Sequence, residues 1–140
     1  MNIEKFKQQH VAILDAIARL RDAAGGGIAD NAESISAQIV RMSGAVKLHL
    51  SIEDAVLYPG IARSTDLKLA HLGDRYQSEM DGIAADYFAF AARWNLPARV
   101  RADPEGFRRD ANRVLRTLFD RMKREDTEFY PAIEASRISA

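Results

Sequence analysis

Two stretches of the chain read alike: His49-Leu50-Ser51-Ile52-Glu53-Asp54-Ala55-Val56-Leu57-Tyr58-Pro59 and Arg121-Met122-Lys123-Arg124-Glu125-Asp126-Thr127-Glu128-Phe129-Tyr130-Pro131. In register, His49 falls on Arg121, Glu53 on Glu125, Asp54 on Asp126, Leu57 on Phe129, Tyr58 on Tyr130 and Pro59 on Pro131. The match extends backward, with Ile35, Ile39, Met42 and Val46 falling on Phe107, Ala111, Val114 and Leu118. These apolar positions recur every three or four residues, the period of one helix face. The repeat therefore predicts two equivalent helices, each carrying polar residues on its buried stripe. Burying such groups is costly unless something pairs with them, and a metal ion is a common partner.

The rest of the chain reads the same way. Ile3, Phe6, His10, Ile13, Ile17 and Leu20 predict a first helix from Ile3 to Ala24, ended by Gly25-Gly26-Gly27. The second helix begins after Asp30 or Asn31, either a suitable N-cap, and is expected to stop before Pro59. A third starts near Ser64, Thr65 or Asp66 and runs to about Trp94, where Asn95-Leu96-Pro97 breaks it. The fourth opens at Asp103-Pro104-Glu105, a cap followed by proline at the first helical position, and ends by about Ser136. No segment reads as a strand. The expectation is an all-α, antiparallel up-down-up-down four-helix bundle, one domain over residues 1–140.

Composition narrows the chemistry. Lys+Arg and Asp+Glu each number 20, so there is no basic excess to release counterions from nucleic acid, and no nucleic-acid partner is expected. With no cysteine, disulfides, thiolate sites and iron–sulfur clusters are excluded, and metal ligands must be His, Asp, Glu or Tyr. No apolar run approaches ~20 residues, so no membrane span is expected. The N-terminus shows no basic-then-apolar leader, and a cytoplasmic location is the expectation.

In an antiparallel bundle the starts of helices one and three lie at the same end as the finishes of two and four. His10, His49, Glu53, His71 and Glu125 are therefore expected in one layer, as candidate metal ligands. His49 and Glu53 are four apart and leave one helix face together. Imidazole with carboxylate suits iron, manganese or zinc. Tyr58 and Tyr130 read as packing residues that, with Pro59 and Pro131, end their helices. Tyr87, Phe88, Phe90 and Trp94 read as core at the far end. The arginines of helix four, interspersed with aspartates, read as a solvated face.

These elements resemble the hemerythrin-like, or HHE cation-binding, proteins. The resemblance is carried by His10 on helix one, His49-x-x-x-Glu53 with Tyr58-Pro59 on helix two, His71 on helix three, and Glu125 with Tyr130-Pro131 on helix four. It covers essentially the whole chain. It implies a non-haem di-iron centre held by five histidines and two bridging carboxylates, with His10 and His49 on one iron and Glu53 and Glu125 as bridges. The chain departs from that pattern at the other iron. His71 is kept, but Arg75 stands one turn on, and Arg121 stands where the helix-four histidine belongs. The expectation is that Arg75 and Arg121 place positive charge where the second iron would sit and pair with Glu53 and Glu125, giving one metal or a metal-free ion-pair network. The other reading of both arginines is a buried stem with a wet head at the bundle end. Tyr76 and Glu79, one and two turns beyond His71, are alternative ligands for a second ion.

Three functions remain open on this reading. The first is a non-haem iron-binding protein, with one or two ions, that binds or senses oxygen, nitric oxide or peroxide or handles iron. Zinc or manganese is an alternative metal, and a homodimer is an open alternative. The second is a metal-free interaction or regulatory bundle in which Arg75 and Arg121 replace the second metal. The third, an enzyme breaking down peroxide at an open coordination position, lacks any residue that names a substrate. No Ser/His/Asp triad, phosphate-binding loop or nucleotide fingerprint is present, so binding is expected over turnover.

Overall fold

In the computed structural model, which describes residues 2–136, the hydrophobic stripes at helical spacing become the inner faces of helices. α1 (Ile3–Gly25) buries Ile3, Phe6, His10, Ile13, Ile17 and Leu20. It turns through Gly27, whose φ of 110° lies in the region that favours glycine. α2 (Ala32–Ile52) buries Ile35, Ile39, Met42, Val46 and His49.

The second helix does not stop before Pro59. Ile52 ends its α-helical part, a single π-helical turn runs Glu53–Leu57, and α3 (Tyr58–Ala62) carries the chain on. Proline lacks an N–H, and its ring clashes with the carbonyl four residues back in a regular helix. In the wider turn the Tyr58 N–H reaches the Glu53 carbonyl, five residues back. The ladder thus changes register just before the proline, and the helix survives it. The second copy repeats the device. α6 (Pro104–Arg124) leads into a π-turn over Glu125–Phe129, the Tyr130 N–H donates to the Glu125 carbonyl, and α7 (Tyr130–Ala135) follows.

Between them runs α4 (Leu67–Trp94), started by Asp66, whose side chain accepts from the Leu69 N–H at 3.2 Å. The break after Trp94 contains a short helix that the sequence reading lacked, α5 (Pro97–Ala102), with Pro97 at its first position. Asp103 then caps α6 through the Gly106 N–H at 2.9 Å. The result is an all-α, antiparallel four-helix bundle whose arms are α1, α2–α3, α4 and α6–α7. Among the described residues no strand forms, and no helix is long and apolar enough to cross a membrane.

The apolar core lies in two blocks. The larger contains Ile13, Ile35, Met42, Trp94 and Leu118. Tyr87, Phe90 and Trp94 are buried in it, and the Trp94 indole N–H donates to Asp110 at 2.9 Å. The smaller contains Phe6, Leu57, Tyr58, Tyr76, Phe129 and Tyr130. Along α1, α2 and α6 the buried polar residues His10, His49 and Arg121 fall between the two blocks. A polar layer therefore crosses the bundle with apolar packing on both sides.

On α4 the inward positions of the smaller block are Leu69, Gly73 and Tyr76. Gly73 lets α3 approach, since a Cβ there would lie 2.7 Å from Ile61 Cγ2. Gly73→Ala is expected to lower stability by about 1–3 kcal/mol through overpacking. Gly82→Ala, in the same helix with open space around it, is expected to raise stability by roughly 0.5–1 kcal/mol. Urea unfolding of the two variants checks the contrast.

Candidate metal centre

Each polar group in the layer is placed by helical spacing. His49 and Glu53 are one turn apart at the end of α2, Arg121 and Glu125 one turn apart at the end of α6, and His10 sits midway along the α1 stripe. His10, His49, Glu53, Arg121 and Glu125 are all buried. One ligand-type atom from each of His10, His49, Glu53 and Glu125 lies within 4.8 Å of all the others. Four of the five candidate ligands are thus brought together. His71 is not among them: it lies exposed on α4, because Leu69, Gly73 and Tyr76 take the inward positions of that helix. Arg75 is likewise exposed and pairs with neither Glu53 nor Glu125.

The two histidines are oriented from behind. His10 Nδ1 lies 2.8 Å from Asp126 Oδ1, and His49 Nδ1 lies 2.7 Å from Gln9 Oε1. Both partners are acceptors, so both Nδ1 atoms carry the proton and both Nε2 atoms point into the layer. There His10 Nε2 is 3.0 Å from His49 Nε2 and 2.9 Å from Glu125 Oε1. His49 Nε2 is 3.4 Å from Glu53 Oε2 and 3.8 Å from Glu125 Oε1. These are electron-pair donors facing one another, and only a proton or a metal ion between them makes the arrangement favourable. Glu53 Oε1 is buried with no hydrogen-bond partner, a costly state for a carboxylate oxygen. Two imidazoles and two carboxylates converging with a spare oxygen fit a divalent first-row metal.

Without metal, a proton does the work. Burial would lower the basicity of His49, but hydrogen bonds to Glu125 and Glu53 and their charges outweigh it and push its pKa up to about 9. Burial and the charge of Glu125 hold Glu53 above the usual carboxylate range. Burial works on Glu125 in the same direction, yet its close contacts with the His10 and His49 rings and the charge of Arg121 hold it well below that range.

Arg121 completes the layer on the side where His49 has its repeat partner. Its head is fully buried, so it does not extend to the bundle end. Nε donates to Glu125 Oε2 at 2.7 Å, and Nη2 donates to the Tyr76 carbonyl at 2.6 Å and to the Tyr58 hydroxyl at 3.2 Å. The guanidinium also lies 4.5 Å over the Tyr76 ring. Tyr76 stacks on Phe129 at 4.2 Å, and Glu79 is half-exposed, bound to Arg124 at 3.0 Å. Neither joins the cluster of donors.

Sequence reasoning missed three residues. Asp126 and Gln9 are chain neighbours of ligand-type residues, and periodicity assigns them to other faces. Tyr130, read as a packing residue, instead sends its hydroxyl into the layer, 3.0 Å from His10 Nε2, 3.1 Å from Glu53 Oε2 and 3.2 Å from Glu125 Oε1. The signal for Tyr130 was the repeated Tyr-Pro: the proline calls for the π-turn, and the π-turn swings the tyrosine inward.

Residues 1–133 match the family model described as the hemerythrin HHE cation binding domain. No curated protein and no solved structure matches the chain.

The metal-free protein should weaken as pH rises. The His49 pKa is raised in the folded state from its ordinary 6.5 to about 9, so its stabilising contribution is complete below the lower value and lost on passing the upper one. Urea unfolding across that window should show a fall on the order of 1–3 kcal/mol in the metal-free wild type, and His49→Gln should lack it.

Proposed function

This chain belongs to the hemerythrin HHE cation-binding family, and we propose that it holds a single metal ion, iron in its working state, between His10, His49, Glu53 and Glu125. The observation that carries this reading is the meeting of the two histidine Nε2 atoms, 3.0 Å apart, with both Nδ1 atoms engaged behind them and two buried carboxylates in front. Such back-side partners fix the ring orientation and raise ligand basicity, as they do for metal-bound histidines generally.

Charge supports one ion over two. Glu53, Glu125 and Asp126 bring three negative charges to the layer, and Arg121 brings one permanent positive charge. A single divalent ion neutralises the set once His49 gives up its extra proton. A second divalent ion would leave two uncompensated positive charges inside a dry core, which is strongly unfavourable. Arg121 stands in for the second ion: its guanidinium occupies Glu125 Oε2, leaving Oε1 for the metal side. Arg75, exposed at the surface, has no part in this.

A ferrous ion held by His10, His49, Glu53 and Glu125 would supply one electron to share with a small ligand. Reduction of dioxygen to peroxide takes two electrons, which a pair of irons can provide and a single iron cannot. Nitric oxide needs one metal only. We therefore favour the binding or sensing of nitric oxide or an oxidant over reversible oxygen carriage. The chain's own residues bind and orient: His10 and His49 fix one side, the two glutamates the other, and the apolar blocks keep bulk water out.

Metal analysis after anaerobic Fe(II) loading and desalting tests this. About one iron per chain is expected in the wild type, and none in His49→Ala. About two per chain would overturn the single-ion reading. None in the wild type would sink metal binding altogether and favour a metal-free interaction module.

A further inference from the structure

We propose that Tyr130 is a fifth ligand of this centre, binding the ferric ion through its phenolate oxygen; the assignment rests on the one-metal reading. The groups around the layer fall into two sets. Asp126, Gln9 and Arg121 meet the ligand residues on their outer atoms: His10 Nδ1, His49 Nδ1 and Glu125 Oε2. Tyr130 meets the inner atoms instead. Its oxygen is 3.0 Å from His10 Nε2, 3.1 Å from Glu53 Oε2 and 3.2 Å from Glu125 Oε1, the atoms that face the ion.

Those spacings are the ones ligand atoms keep around an ion. Two donors about 2.1 Å from one metal and at right angles lie about 3.0 Å apart. His10 Nε2 to His49 Nε2 is 3.0 Å and His10 Nε2 to Glu125 Oε1 is 2.9 Å, with His49 Nε2 3.4 Å from Glu53 Oε2 and 3.8 Å from Glu125 Oε1, so the phenol oxygen is as close to the inner atoms as they are to one another. A hydroxyl also carries one proton only. Three inner donor atoms converge on it, and a single O–H cannot satisfy them all. The ring is held for this by His10, which stacks on it at 5.1 Å.

The repeat gives independent support. Tyr58, the counterpart of Tyr130, points its hydroxyl oxygen at the Arg121 guanidinium, 3.2 Å away. Each tyrosine thus offers its oxygen to the cation of one half of the centre. In one half that cation is arginine, and in the other it is the metal. Ligation replaces the Tyr130 O–H bond with an oxygen–metal bond and sends the proton to bulk solvent. Charge then closes for the ferric state: the trivalent ion and Arg121 balance Glu53, Glu125, Asp126 and the phenolate.

Visible absorption and resonance Raman spectra test the assignment on protein loaded with Fe(II) and oxidised with ferricyanide, with bound iron measured on the same samples. The expected result is a phenolate-to-iron charge-transfer band with tyrosinate ring modes, lost in Tyr130→Phe while iron remains and retained in Tyr87→Phe. Bound iron with no tyrosinate modes, or modes that survive Tyr130→Phe, overturns the assignment and leaves the one-metal reading standing. No bound iron in the wild type overturns both. Should Tyr130→Phe fail to fold, the chain's four tyrosines allow assignment by elimination. Modes kept in each of Tyr58→Phe, Tyr76→Phe and Tyr87→Phe belong to Tyr130, and their loss in any one of the three refutes the proposal.

Discussion

Two carboxylates, Glu53 and Glu125, are fully buried in the middle of this bundle, and the rest of the layer answers to them. A bare carboxylate in an apolar core is too costly to keep, so each must find a cation or a proton. Arg121 binds one oxygen of Glu125 permanently. His49, held charged by both glutamates, serves the remainder in the metal-free protein. That proton is exchangeable, whereas the guanidinium is not. The layer therefore has one fixed cation and one replaceable one, and on the proposed reading the replaceable one marks where a metal enters.

The repeat explains how the asymmetry arises. Both copies supply a glutamate, a π-turn and a Tyr-Pro pair in register, so the backbone is built twice over the same plan. The copies differ at the residue one turn before the glutamate, histidine in one and arginine in the other. On the proposed reading, that single difference decides whether the half collects an ion or carries its own charge. The flanking apolar blocks exclude water from both halves, which strengthens every charge interaction between them.

Much of this was legible in the sequence. Helix period alone places His10, His49, Glu53 and Glu125 on inward stripes, and the antiparallel order brings them to one level. The expectation that failed there was that Tyr-Pro ends each helix; the chain instead continues through a π-turn. In an α-helix Tyr130 would lie well around the surface from Glu125, five residues earlier; the π-turn absorbs one residue and returns it to the same face, within 3.2 Å of the Glu125 side chain. His71 failed for a different reason. The inward register of α4 runs through Leu69, Gly73 and Tyr76, and a glycine gives no hydrophobic signal, although Gly73 packs directly on Ile61. With that register hidden, the histidine two residues on from Leu69 looked inward when it faces out. Arg75, two residues after Gly73, was misplaced with it. Asp126 and Gln9 act across helices, and no spacing along one helix reports such a contact.

On the proposed reading one ion lies on the histidine side of a layer whose other side is closed by arginine. A crystal structure of the iron-loaded protein, with anomalous scattering recorded at the iron edge, tests it most directly. One anomalous peak between His10 Nε2, His49 Nε2 and the two glutamates, with Arg121 still on Glu125, is the result this structure predicts. Two peaks in the layer, or a peak that displaces Arg121 from Glu125, would contradict it.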